Sequence, residues 1–428
     1  MYCNLLVAAP YVCVSLVYFP SAPFCMICAS RPRLMKTIQR IDIKFSKYYF
    51  PFSDDTPSDL LGPFRFLVKA SLLDCSTKSK CCSVFTCLLG VVMVVVTLIR
   101  ISFLMEAVGA PLELGWGEGI FFGYPGLTGF VFSLCLFGWT KNGLIPKFCK
   151  RLVRVRMLRQ AANSKLDKFR ILHGLALGFS IPWFVAMMSW IIYNFVHGKV
   201  YYGGPEQSIA KRIFLIISNF YVWFISTVCL AIYIFISAAL NREVSYFNEE
   251  LKKAKEEKTL RNIGVLEKFD FRQNQILEMI LFAHESLSSL GGFVPLFMYW
   301  GLANGVYLTS FVYDVPLLYA IIVGFNLASI IFYNVFVMFP AIILQEHLKT
   351  TTRILINNDE FECSKDPIVY QTYRIMIDRF QKVNTNISII ASLPITVQTF
   401  AACSFVAPNL GFLLIMVKNV ILVNGGHV

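Results

Sequence analysis

Charge is scarce in this 428-residue chain. Asp, Glu, Lys and Arg make up 15% of it, against about 25% in soluble domains. Apolar residues reach 56% where about 45–50% is usual, and the mean hydropathy is +0.61. A water-soluble fold cannot hide that much apolar surface, so a cytosolic enzyme and a disordered chain are both excluded. Catalytic constellations are lacking too. His284-Glu285 has no second histidine at zinc-protease spacing. Cys25 and Cys28 lie in an apolar stretch without a thioredoxin-like context. There is no phosphate-binding glycine loop and no nucleophile elbow. Neither a metal nor a cofactor is expected. The 13 cysteines form no evenly spaced disulfide framework.

What is present is a series of apolar runs. A helix needs about 20 mostly apolar residues to cross a bilayer, and that template selects 84–104, 119–139, 171–195, 213–240, 287–309, 315–344 and 387–423. The expected fold is therefore all-α: a polytopic membrane protein with seven transmembrane helices, occupying 84–424. The last region is interrupted at Pro408-Asn409-Leu410-Gly411 and reads as one kinked crossing or two short ones. Segment 1–30 is apolar but broken by Pro10, Pro20 and Pro23, with no basic stretch before it. It makes a poor signal peptide and reads as an extra span, a re-entrant segment or a misplaced first exon.

The net charge of +13 would suggest nucleic acid in a soluble chain; in a membrane chain it reports topology. With the first span entering from the cytoplasm, the inside segments 31–83, 140–170, 241–286 and 345–386 hold 34 of the 39 Lys and Arg. The N-terminus of the core is therefore expected inside and the C-terminus outside, with a basic cytoplasmic region at 31–83. That orientation is the inverse of G-protein-coupled receptors.

Two inside segments are longer than connections require, and cytoplasmic helices are expected at 241–286 and 367–387. The first alternates acid and base, as solvated helices do. In the second, Val369, Tyr373, Met376, Phe380, Val383 and Ile387 recur at steps of four and three, an a/d seam. The stripe fits packing within one subunit or association between copies. Trp190, Tyr193, Tyr221, Trp223, Tyr299, Trp300 and Tyr319 crowd the outer halves of the middle spans. They read as an interfacial belt or as the walls of an apolar cavity for a small molecule. Few polar residues enter the spans: Arg100, His173, His284, Glu285, Gln398, Lys418 and Asn419.

Seven spans, an inside N-terminus, a long inside helix before the last span and a short tail resemble the insect gustatory and odorant receptor superfamily. The Phe-rich composition and the stretch Ala401-Ala-Cys-Ser-Phe-Val-Ala-Pro-Asn-Leu-Gly-Phe-Leu-Leu-Ile-Met-Val417 look closest to nematode serpentine receptor class R and gustatory-receptor-like proteins. The superfamily's closing signature, Thr-Tyr, five apolar residues and Gln-Phe, is replaced here by Lys418-Asn419, Val-Ile-Leu-Val-Asn and Gly425-Gly426. The resemblance implies a chemosensory receptor that is a tetrameric ligand-gated cation channel. Its last helix lines the pore and its cytoplasmic helices bundle at the centre. Val417, Ile421 and Asn424 then form one pore face, at steps of four and three. Lys418 conflicts with a cation path unless it faces a neighbour or lipid, or the pore is closed or anion-selective. The expected setting is a sensory-neuron plasma membrane, with lipid, a small-molecule ligand and homo- or hetero-oligomeric partners. A metabotropic receptor coupled through 141–170, or a transporter, is the alternative.

Overall fold

Long apolar runs become long helices because a helix satisfies its own backbone donors and acceptors, which lipid requires. The computed structural model describes residues 58–74, 80–105, 112–159, 170–196, 209–357, 366–382, 388–389 and 393–425. Segment 1–30, most of the region 31–83, and Val383 and Ile387 of the stripe lie outside the described residues. In chain order the helices are α1 (Ser58–Leu61), α2 (Phe64–Ala70), α3 (Lys80–Met105), α4 (Leu114–Lys141), α5 (Leu144–Met157) and α6 (Arg170–Val196). There follow α7 (Ile209–Glu256), α8 (Ile263–Leu308), α9 (Leu317–Ile356), α10 (Pro367–Lys382) and, after a short hairpin, α11 (Val397–Gly425). The hairpin strands β1 (Ser388–Ile389) and β2 (Leu393–Pro394) are antiparallel, with Ile389 opposite Leu393. Among the described residues six helices, α3, α4, α7, α8, α9 and α11, are long and apolar enough to cross a membrane. Helix α6 is 27 residues long. The chain is a helical membrane protein.

Helix α7 forms the centre. Val222, Ile225, Val228, Ile232 and Phe235 are fully buried, and α7 meets α4, α6, α8 and α9. Buried hydroxyl and indole groups in a low-dielectric core need partners, and here they tie one helix to the next. Tyr233 donates to the Val337 carbonyl at 2.7 Å, and Trp139 Nε1 to the Ser286 carbonyl at 2.7 Å. Small residues allow close approach between membrane helices. A Cβ at Gly129 would lie 2.2 Å from Val222, whereas Gly123 meets nothing within 4 Å.

Two helices run past the boundaries that hydropathy suggested. With 48 and 46 residues, α7 and α8 each extend about 70 Å, more than twice the hydrocarbon thickness of about 30 Å. Segment 241–286, expected as one cytoplasmic helix, is a hairpin of the two helix ends. Its turn uses Lys258 in the left-handed conformation (φ 57°). Asn262 Oδ1 accepts the Gly264 N–H at 3.0 Å and caps α8. No Pro marks this turn, and both arms carry charges of both signs, so composition does not separate them. The last helix starts at Val397 rather than Ile387, and Pro408 lies within it without ending it.

Part of the basic region belongs to the helical unit. Leu60, Leu61, Phe64, Val68 and Leu73 are buried. Phe64 meets Phe235 edge-on at 5.1 Å. His173 Nε2 donates to the Leu60 carbonyl at 2.8 Å, and Thr140 to that of Leu73 at 2.6 Å.

Helix α10 lies against α8 and α9. Val369, Tyr373 and Met376 are buried within the chain. Tyr373 donates to the Leu355 carbonyl at 2.9 Å, Gln273 Nε2 donates to the Met376 carbonyl at 2.9 Å, and Arg379 pairs with Asp270 at 2.6 Å. The first half of the stripe is therefore occupied inside one subunit. The Phe380 side chain lies outside the described residues.

Candidate ligand site and conduction helix

At the end of the bundle away from the α7–α8 hairpin, the first turns of α4 and α9 meet the last turns of α6, α8 and α11. Glu118, on α4, is 2% exposed, and its carboxylate accepts the hydroxyl proton of Tyr319 on α9. The Tyr319 ring lies 5.9 Å from that of Tyr193 on α6. Beside them Tyr307 donates to the Leu112 carbonyl and meets Trp116 and Phe311 edge-on, each at 5.5 Å. Such pairs orient rings and contribute about 0.5–1.5 kcal/mol each beyond burial. The result is an aromatic end that holds a buried carboxylate.

Of the seven aromatic residues singled out in the sequence, Tyr193 and Tyr319 meet there. Tyr221 donates to the Ser71 carbonyl at 3.0 Å, and Trp223 is buried in the core. Tyr299 donates to Met338 Sδ at 3.1 Å, and Trp300 is 57% exposed. The Trp190 side chain lies outside the described residues. Glu118, Trp116, Tyr307 and Phe311 were not selected. The available signal was an acid two residues from Trp116 where an apolar run begins; counting Glu118 as a loop residue hid it.

Helix α11 is attached along one edge. Ala407 and Gly411 are buried, and a Cβ at Gly411 would fall 2.5 Å from the Ala303 carbonyl oxygen of α8. About two turns later, Lys418 Nζ lies 3.3 Å from the centre of the Phe311 ring and 3.3 Å from Ser310 Oγ. Lysine over a ring face is held by cation–π attraction. Val417 and Ile421 are 41% and 54% exposed. The Asn424 side chain lies outside the described residues. Lys418 thus faces a neighbouring helix of its own chain, one of the resolutions its sequence position left open.

The opposite end is built from charge. Glu243 on α7, fully buried, pairs with Arg156 at 3.3 Å and with Arg159. Arg159 also lies over the Tyr246 ring at 4.3 Å. Buried Arg272 on α8 pairs with Glu250 on α7. Among the described residues no three of His, Cys, Asp and Glu are grouped as metal ligands.

Residues 60–411 match the model of a Caenorhabditis protein family of unknown function, DUF267. The chain belongs to that family. No curated protein matches it. Among solved structures, the DUF267 chain is similar to the insect olfactory receptor OR5 from Machilis hrabei. The TM-score is 0.58 at 10% identity, covering 84% of this chain and all of that one. The same receptor in complex with eugenol matches at a TM-score of 0.56, with the same identity and coverage. At that identity the likeness establishes a shared fold.

Proposed function

We propose that this chain is a chemosensory receptor of the seven-helix ion-channel type, related to the nematode class R and gustatory-receptor-like proteins. In this reading α6 is the seventh crossing, the charged end is cytoplasmic, and the C-terminus is outside. Copies assemble as a tetramer, and α11 of each lines a shared cation path in the plasma membrane of a sensory neuron. The ligand is a small, largely apolar molecule, as eugenol is for the olfactory receptor of the same fold. It sits near Tyr193 and Tyr319 at the aromatic end.

The observation that carries the reading is α11 itself. A helix of 29 residues is joined to its chain along one edge and leaves Val417, Ile421 and Leu413 uncovered. Lipid or further copies cover such a helix. With Lys418 turned onto Phe311, the Val417–Ile421 face carries no cation to oppose ion passage. Metabotropic coupling through 141–170 is less favoured, because Arg156 and Arg159 are committed to Glu243.

Hydrophobic constrictions gate by dewetting, so polar substitution at a gate leaks. Val417→Ser and Ile421→Ser, expressed alone in voltage-clamped cells, are expected to pass constitutive current. A tag after Val428 that antibody reaches in intact cells confirms surface expression and orientation together. Silence from both variants with the tag accessible removes the pore reading.

A further inference from the structure

Residues of α11 at steps of four form rows along the helix, and the rows are covered unequally. Cys403, Ala407, Gly411 and Ile415 form the row that meets the rest of the chain: Ala407 and Gly411 are buried and the other two half-buried. At 100° per residue, the row two positions on lies about 160° away. It consists of Phe405, Asn409, Leu413, Val417 and Ile421, and every member is exposed. Val417 and Ile421 belong to it, so the row continues the proposed gate toward the charged end. Rows of this kind run at about 26° to the helix axis. A helix tilted by about that much presents the whole row along one line.

Asn409 is the polar member of these five. It is also the middle residue of the apolar crossing Val397–Ile421, about 18 Å from either end. Hydrocarbon offers an amide neither donor nor acceptor, and a polar side chain uncovered at that depth marks a water-filled path or a partner. Its own helix supplies one contact: Asn409 Nδ2 donates to the Phe405 carbonyl at 2.7 Å. That bond draws the amide nitrogen back along α11 and turns Oδ1 outward. Among the described residues no donor reaches Oδ1. Carbonyl oxygens brought together from several copies repel one another and gather around a positive charge.

We infer that Asn409 is where the permeating ion exchanges part of its water for protein: its Oδ1, with that of each other copy, coordinates a monovalent metal cation midway across the membrane. Rings of carbonyl oxygens replace hydration in this way. An amide oxygen is a hard ligand without formal charge. It holds an alkali-metal ion weakly enough to release it, which conduction requires. Val417 lies eight residues, about 12 Å, farther along the same row, so the apolar constriction and the oxygen ring are separate stations on one path. The assignment rests on the channel reading, since a ring needs the copies that share the path.

The test uses the full chain carrying Val417→Ser, expressed alone in voltage-clamped cells, with calcium as the external and potassium as the internal cation. Adding Asn409→Asp replaces a neutral oxygen ligand by a carboxylate, which calcium prefers. Calcium permeability relative to potassium is expected to rise several-fold over the Val417→Ser parent, read as a shift in reversal potential. Asn409→Leu keeps the size of the side chain without its oxygen and is expected to lower potassium conductance several-fold, while Asn409→Gln restores it. Asn419→Asp, on the attached row, is expected to leave the permeability ratio unchanged. If it shifts the ratio as far as Asn409→Asp does, charge near the mouth is responsible and the assignment fails. A parent that leaks, with Asn409→Asp and Asn409→Leu indistinguishable from it, overturns the role of Asn409 and leaves the channel reading standing. Val417→Ser and Ile421→Ser both silent, with the tag after Val428 accessible, remove the two together. Should Asn409→Asp not reach the surface, Asn409→Leu decides: unchanged potassium conductance there counts against the ring.

Discussion

The two ends of the helix bundle are held by different forces. At the charged end, three carboxylates of α7 and α8 are matched by arginines from elsewhere in the chain: Glu243 by Arg156 and Arg159, Glu250 by Arg272, Asp270 by Arg379. At the aromatic end, rings pair between α6 and α9 and between α4 and α8, and Glu118 of α4 accepts from Tyr319 of α9. Breaking a buried ion pair is expensive because the remaining charge is left without its partner. Ring contacts contribute little individually and rearrange at small cost. The charged end is therefore the costlier one to disturb, and under the proposed function the aromatic end is where a bound small molecule would shift helices.

The largest effect is expected at Glu243. Glu243→Ala leaves Arg156 and Arg159 without the carboxylate they share, in a site where the Glu243 side chain is 1% exposed. Removing one partner of a buried pair costs about 3–5 kcal/mol. The variant is expected to lose most of its monodisperse fraction in size-exclusion chromatography and to unfold at clearly lower temperature. Wild-type behaviour would mean that this end does not depend on charge, and the contrast between the ends would fail.

A smaller effect is expected from Tyr319→Phe. It removes the hydroxyl that Glu118 accepts while keeping the ring beside Tyr193. A hydrogen bond to a charged group contributes about 1.5–3 kcal/mol, so thermal stability should fall by less than for Glu243→Ala. Ligand-evoked current should change more than stability does, because this contact joins α4 to α9 within the proposed site. Equal losses in both measurements would make Glu118–Tyr319 a structural link of the same kind as the opposite end.

How legible these ends are in sequence differs for a physical reason. Apolar runs such as those of α3 and α4 announce crossings because lipid demands length and apolar composition together. The direction each residue faces is not announced: helices apolar on every side carry no facing signal. Tyr193 and Trp300 look alike in sequence, yet one is buried beside Tyr319 and the other is 57% exposed. At the charged end the polar background restores a signal. The spacing of Val369, Tyr373 and Met376 marks a buried stripe, although it does not say that α8 and α9 cover it. Partners such as Arg156 and Glu243, 87 residues apart, leave no local trace at all.

Lys418 gives the smallest and most discriminating prediction. Its ammonium lies over Phe311 and beside Ser310, so Lys418→Met removes a cation–π contact of about 0.5–1 kcal/mol and keeps an apolar chain of similar length. A stability change within about 1 kcal/mol is expected, measured by thermal unfolding. If α11 lines a cation path with Val417 and Ile421 forward, the ion preference of leaking Val417→Ser should be the same with and without Lys418→Met. A lysine that faces the path would instead repel cations electrostatically, and its removal would raise cation permeability several-fold. That outcome would rotate the helix, place Lys418 toward the ions in the assembled protein, and make the Phe311 contact a property of the single chain.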